Sequence, residues 1–219
     1  MSIEMLNTTD VAPDLFASIA TDLAEKGYSI QPNALPLELT DALWREVAGL
    51  GESWFHRAGV GRQLDYQVNR FNRTDQVCWI EGTSPACRRW LSVTESLRMY
   101  LNQALFMGLF SYESHYARYQ AGDFYKRHYD AFIGQSNRRV STVFYLNPGW
   151  APLDGGELVL YQSSEDREGL KVTPAFGTLV CFLSEQFPHE VLPASRTRYS
   201  IAGWYRINAS TTERVDPPR

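Results

Sequence analysis

Two imidazoles and a carboxylate stand at spacings that let them share one ion. In Tyr125-Lys126-Arg127-His128-Tyr129-Asp130, His128 and Asp130 are two residues apart, and on extended backbone such residues face the same side. A second histidine, His189, follows Phe187-Pro188, where proline closes one segment and Val191-Leu192 resumes apolar character. Two histidines and one carboxylate on one side of a metal leave the opposite positions open. That arrangement suits a non-haem Fe(II) that must also bind a co-substrate and O₂. Zinc accepts the same ligands. Taken singly, each piece has a plainer reading: a surface turn for the His-X-Asp pair, a hydrogen-bonded structural residue for His189.

Nine residues after His189, Arg198 opens the run Arg198-Tyr199-Ser200-Ile201-Ala202-Gly203-Trp204. A guanidinium fork matches a carboxylate through two parallel hydrogen bonds, and Ser200 and Ala202 on the same strand face leave room for a diacid. The plainer reading is a strand-end arginine facing water.

Positioning such groups needs a frame. Apolar residues Leu15, Phe16, Ile19, Ala20 and Leu23 form one helical stripe over 13–26, ended by Gly27. A second helix is expected over Leu37 to Leu50, with Leu39, Leu43, Trp44 and Val47 on its stripe and Gly51 as its stop. Ser84-Pro85 is a cap followed by a first-turn proline, and Trp90, Leu91, Thr94, Leu97, Leu101 and Leu105 carry a third, longest helix. From Tyr112 onward the period shortens to that of strands: 113–120, 140–146, 157–161, 170–172, 178–183 and 199–207, separated by Gly-, Pro- and Asp-rich turns. The stretch from Glu52 to Gly82, with weak alternation over 65–71, reads as a loop or loose hairpin. Helices first and strands afterwards predict a mainly β fold with supporting helices, a double-sheet jelly roll backed by N-terminal α-helices. The chain reads as one domain over 1–219, with 1–110 as mostly helical support and 111–207 as the core.

Composition narrows the partners. A net charge of −4 provides no broad basic field for nucleic acid or an anionic membrane. Lys126, Arg127, Arg138 and Arg139 make only a small basic cluster, read as a solvated face. Three cysteines, Cys78, Cys87 and Cys181, lack a CxxC spacing and suit a reducing compartment. Neither a secretory start over 1–10 nor an apolar run of spanning length occurs, so a cytoplasmic protein is expected.

His128-X-Asp130, the distal His189 and a basic residue nine positions later resemble the prolyl 4-hydroxylases among the Fe(II)- and 2-oxoglutarate-dependent dioxygenases. Tyr145-Leu146-Asn147, Asp154-Gly155-Gly156-Glu157-Leu158, Pro188-His189-Glu190-Val191 and the arginine at 198 look like the oxygen-sensing, hypoxia-type branch. Gly59-Val60-Gly61-Arg62, Asp75-Gln76-Val77 and Trp79-Ile80 are similar to bacterial prolyl hydroxylase domain proteins, some of which are thought to act on elongation factor Tu.

The resemblance implies a double-stranded β-helix holding iron at one mouth through His128, Asp130 and His189. By the same carry-over, Arg198 and Tyr145 bind the distal carboxylate of 2-oxoglutarate, Tyr119 lies near its metal-binding end and Trp204 borders the mouth. One residue fewer separates Tyr119 from His128 than in the animal relatives, and its plainer role is packing. A mobile flap over 57–82, including Arg57, Gly59, Gly61 and Arg62, would cover a bound peptide. Implied cofactors are Fe(II), 2-oxoglutarate and O₂, with ascorbate supporting activity; succinate and CO₂ leave as a prolyl residue of a protein is hydroxylated. The competing readings are a sensor module that binds metal and 2-oxoglutarate without turnover, the same chemistry on another substrate, and a zinc hydrolase.

Overall fold

The computed structural model describes residues 11, 14–57, 72–131 and 137–208. The N-terminal part supplies three helices, α1 (Leu15–Lys26), α2 (Leu37–Gly49) and α3 (Pro85–Leu105). Each follows the stripe expected of it. Gly27 ends α1 in a left-handed conformation, φ 77°, and donates its N–H to the Leu23 carbonyl. A Cβ at Gly27 would sit 2.9 Å from the Phe187 ring, so both the turn and the packing need glycine. Ser84 caps α3 by accepting the Cys87 N–H at 3.0 Å.

The stop of α2 differs from expectation. Leu50 already has extended backbone, and Gly51 is not left-handed at φ −69°. The helix ends because Leu50 turns to pack against the helical core, not because a glycine caps it.

Eleven strands occur among the described residues: β1 (Tyr28–Gln31), β2 (His56–Arg57), β3 (Gln76–Trp79), β4 (Leu109–Tyr119), β5 (Tyr125–His128), β6 (Arg138–Tyr145), β7 (Leu158–Leu160), β8 (Leu170–Val172), β9 (Leu179–Leu183), β10 (His189–Val191) and β11 (Arg198–Ile207). They form a seven-stranded sheet ordered β1-β9-β6-β11-β4-β3-β2 and a four-stranded sheet ordered β5-β10-β7-β8. Every pairing is antiparallel. Two sheets with helices on one outer face match the double-stranded β-helix that the motif requires.

The short strands β1, β5 and β10 are not among the strands expected from periodicity. Strand β1 is a four-residue edge whose Tyr28 pairs with Phe182, too short for a period to show. Strand β4 begins at Leu109, earlier than Glu113; Leu109 and Ser111 are buried with Phe110 exposed between them, and from Ser111 onward every residue is buried. The expected loop or loose hairpin over 52–82 is paired at its base as a hairpin, His56 with Val77, while its alternating stretch over 65–71 lies outside the described residues.

The seven-stranded sheet separates two cores. Its outer face, with Tyr112, Tyr116, Val140, Phe144, Leu179, Cys181, Ile201 and Tyr205, packs on the helices. Trp90 stacks on Phe144 at 5.4 Å and donates its indole N–H to Ser114 Oγ. The inner face is read from the register: Tyr119 opposite Arg198, Ala117 and Tyr145 opposite Ser200, His115 and Val143 opposite Ala202, Glu113 and Ser141 opposite Trp204. Directly paired residues share a face, so the polar groups gather between the sheets. No helix among the described residues is long and apolar enough to cross a membrane.

Leu43 is fully buried in the helical core, far from the inner face. Leu43→Ala is expected to cost about 2–5 kcal/mol in equilibrium urea denaturation, leaving the native circular-dichroism spectrum of the folded fraction unchanged.

Candidate active site

Strand pairing brings the two histidines together. In the β5–β10 ladder His128 lies directly opposite His189, and their ring centres are 4.2 Å apart. Asp130 is just past the end of β5, in a bend and not on the strand, and turns its carboxylate back to the pair. Its Oδ1 is 3.7 Å from His128 Nε2 and its Oδ2 is 3.6 Å from His189 Nε2. One ligand atom from each residue lies within 4.8 Å of the other two, a spacing that one ion can bridge.

The second nitrogens fix the tautomers. His128 Nδ1 is 2.7 Å from the Lys126 carbonyl and His189 Nδ1 is 3.1 Å from the Phe187 carbonyl, the same two-residue step back in each case. With Nδ1–H donating, each Nε2 presents its lone pair to the cluster. Ser141 donates to Asp130 Oδ2 at 2.7 Å, and Ser184 Oγ is 2.8 Å from Ser141 Oγ. Ser141 was not anticipated, although the alternation that places Tyr145 on the inner face of β6 places Ser141 there too.

Electrostatics keep the donors in their ligating forms. Burial works to raise the Asp130 pKa, but the facing His189 and His128, with Arg138, outweigh it and hold the carboxyl well below its ordinary range. Burial, reinforced by His128, pushes His189 down to about 4 against the opposing pull of Asp130. Near neutral pH the pair is a carboxylate beside a neutral imidazole.

At the other end of the inner face Arg198 heads β11 with only 1% of its surface exposed. Its Nε donates to the Gly156 carbonyl at 2.9 Å and its Nη1 to Ser200 Oγ at 3.4 Å. Among the described residues no carboxylate pairs with it. Gly156 has φ 72°, and a Cβ there would meet Ala194 at 2.9 Å and Arg198 Cδ at 3.2 Å, which accounts for glycine in the Asp154-Gly155-Gly156 turn. The rings of Tyr119 and Tyr145 flank the guanidinium, 5.0 and 5.1 Å from its central carbon. The Tyr145 hydroxyl is buried without a hydrogen-bond partner. Burial lifts the Tyr145 pKa to about 12 against the guanidinium, and lifts Tyr119 well above its usual value, so both keep their protons. A buried cation without a counter-ion beside an orphaned hydroxyl is costly unless an anion completes it, and a carboxylate does so.

Of the remaining expectations, Arg57 ends β2 at an exposed position, while Gly59, Gly61 and Arg62 lie outside the described residues. Trp204 is on the inner face with its indole N–H buried and unpartnered, and the Arg138 guanidinium lies 3.6 Å over its ring. The basic cluster around the motif is divided: Lys126 is exposed and Arg139 half-exposed, as a solvated face would have them, while Arg127 and Arg138 are engaged within the fold. Arg127 packs over Tyr161 and donates to the Asp166 carbonyl, Arg138 pairs with Glu113, and Arg139 pairs with Glu185.

Residues 114–206 match the family model of the 2OG-Fe(II) oxygenase superfamily. A Pseudomonas putida prolyl-4-hydroxylase superposes with a TM-score of 0.78 at 40% identity, covering 89% of this chain and 100% of that one. The chain belongs to the prolyl hydroxylases of the 2OG-Fe(II) oxygenase superfamily. A Trichoplax adhaerens prolyl hydroxylase, in complex with a hypoxia-inducible factor oxygen degradation domain peptide fragment, matches with a TM-score of 0.77 at 30% identity over 88% of this chain and 89% of that one. Mouse prolyl hydroxylase EGLN3 is 33% identical over 159 residues, 68% of this chain and 62% of that protein, so the chain spans less than two thirds of that relative. The family's cofactors are Fe(II) and 2-oxoglutarate, with O₂ as oxidant. The donor set here fits the first, and the buried, uncompensated Arg198 beside Tyr145 fits the second.

Arg198→Ala is expected to weaken 2-oxoglutarate binding by roughly 10- to 100-fold, the loss of charge-assisted hydrogen bonds worth about 1.5–3 kcal/mol. Tyr145→Phe is expected to lose less, about 3- to 10-fold, as one hydroxyl is removed. Isothermal titration of the metal-loaded protein measures both, and an Arg198→Ala variant binding like wild type would remove the clamp.

Proposed function

We propose that this prolyl hydroxylase homologue hydroxylates a prolyl residue of a protein. Fe(II) is held by His128, Asp130 and His189, and the distal carboxylate of 2-oxoglutarate is held by Arg198 and Tyr145. The observation that carries the reading is the buried Arg198, lacking a carboxylate among the described residues, on the same inner barrel wall that faces a three-donor cluster. A zinc hydrolase would leave that cation without a purpose.

When bound, iron and 2-oxoglutarate would supply O₂-driven oxidative decarboxylation to succinate and CO₂, with one oxygen atom entering a substrate C–H bond. The chain itself supplies placement. Arg198, with the un-ionised Tyr145, would fix one end of the co-substrate, and His128, Asp130 and His189 would hold the iron. The Tyr119 ring flanks Arg198, at the end proposed for the distal carboxylate. Ser141 keeps Asp130 oriented. Val180, Phe182 and Leu160 belong to the same buried apolar cluster as Tyr119 and Tyr145, and Phe182 packs edge-on against His189.

A peptide substrate is supported by the Trichoplax relative, which was solved with one. Elongation factor Tu is the candidate carried by the sequence resemblance at Gly59-Val60-Gly61-Arg62, and ascorbate belongs to the same proposal as a supporting reductant. A cytoplasmic location is consistent with Cys78, Cys87 and Cys181 all being free thiols.

Incubation with elongation factor Tu, 2-oxoglutarate, Fe(II) and air is expected to give succinate and a one-oxygen mass gain on a prolyl residue. His128→Ala and Asp130→Ala are expected to reduce both to background. Succinate formation at the wild-type rate by His128→Ala would refute the assignment. Binding of metal and 2-oxoglutarate without turnover on any offered protein would favour a sensor.

A further inference from the structure

Residues 72–75 run alongside β5. Thr74 donates its N–H to the Phe124 carbonyl at 3.1 Å, Lys126 donates to the Asn72 carbonyl at 2.8 Å, and Phe124 N–H reaches Thr74 Oγ1 at 3.0 Å. Arg73 and Tyr125 form the antiparallel bridge between the two segments, which puts their side chains on one face.

Three flat groups pile up there. The Arg73 guanidinium carbon is 4.3 Å from the Tyr125 ring centre, and the Tyr125 ring lies 3.5 Å from the His128 imidazole at an interplanar angle of 16°. Asp75, whose side chain is fully buried, grips the guanidinium from its edge through two bonds of 2.7 and 2.6 Å. The fork therefore cannot rotate away from the ring.

His128 is the histidine that needs this support. Its side chain is 18% exposed against 7% for His189, and His189 has Phe182 packed edge-on at 4.8 Å. The Lys126 carbonyl fixes the tautomer of His128 at one atom, which leaves the plane of the ring to be set by what lies on its face.

We propose that Arg73 is a positioning residue for the metal ligand His128, acting through the Tyr125 ring. The guanidinium, locked by Asp75, presses the phenol against the imidazole and holds its Nε2 aimed at the metal. This inference builds on the metal role given to His128 above. Lysine cannot substitute, because a point charge on a flexible stem offers neither the planar face nor the two-bond grip.

Co(II) is the probe, titrated into the full chain and followed by its visible d–d absorption, with thermal unfolding of the metal-free protein recorded alongside. Tyr125→Phe, which keeps the ring, is expected to bind like wild type. Tyr125→Leu is expected to lose about 10-fold in affinity, with an altered band, at the low end of what residues orienting metal ligands contribute. Arg73→Lys is expected to lose about 3- to 10-fold, and to lose nothing further in the Tyr125→Leu background. Where Arg73→Lys does not fold, Asp75→Asn releases the guanidinium instead and is expected to act in the same direction.

Wild-type affinity and spectrum in both Tyr125→Leu and Arg73→Lys, or in Asp75→Asn where it replaces the latter, would overturn the proposal, as would additive losses in the double variant. A purely structural role would lower the unfolding temperature and leave Co(II) binding alone. Co(II) bound by His128→Ala as tightly as by wild type would sink the metal reading, and this inference with it.

Discussion

Everything at the candidate site depends on one ladder, the antiparallel pairing of β10 with β5 that sets His189 opposite His128. Both strands are short, four and three residues, and neither would persist alone. They persist because β10 is also paired with β7, and because residues 72–75 bond the far side of β5. The two-residue alternation of a strand then does the chemistry's positioning: each imidazole steps back to the carbonyl two residues before it and frees the other nitrogen. A one-residue slip would turn a histidine to the outside of the sheet and dismantle the cluster.

The seven-stranded sheet acts as a partition with two different chemistries. Its outer face is apolar and aromatic and is stabilised by helix packing, in the manner of an ordinary core. Its inner face carries Arg198, Ser200, His115, Glu113, Ser141 and Trp204, and among the described residues His115 Nδ1 and Trp204 Nε1 are buried without a partner, as is the Tyr145 hydroxyl on the same face. Burying such groups destabilises the fold by itself. The helices and the outer face provide the packing that offsets the cost of these unsatisfied inner-face groups. Stability and function are thus carried by opposite sides of the same strands.

Charge follows the same division. A chain with a net charge of −4 concentrates positive charge where it is least solvated. Arg198 stands at one end of the inner face, and Arg73 and Arg138 lie near the metal cluster, the latter two held by Asp75 and Glu113. Of these three, Arg198 alone has no carboxylate partner among the described residues, and that difference is what fits it to the anion-binding role proposed for it.

The sequence singled out the candidate site residues. His128-X-Asp130, and Arg198 nine residues beyond His189, marked the candidate donors and clamp through their joint resemblance to one family, while spacing alone left plainer readings open, and strand alternation does not by itself account for Asp130, which lies in a bend past β5. The helical stripes and the Ser84-Pro85 cap were equally legible, since a period of 3.6 over a dozen residues is hard to produce otherwise. The tertiary structure decided what a linear pattern cannot hold: that His189 meets His128 across a ladder, that Asp130 arrives by a bend past the strand, and that Tyr119 flanks Arg198. It also disclosed Ser141, Ser184 and the Arg73–Tyr125–His128 stack. These contacts join residues far apart in sequence, where no local periodicity couples one position to the other, and only the pairing of strands makes them neighbours.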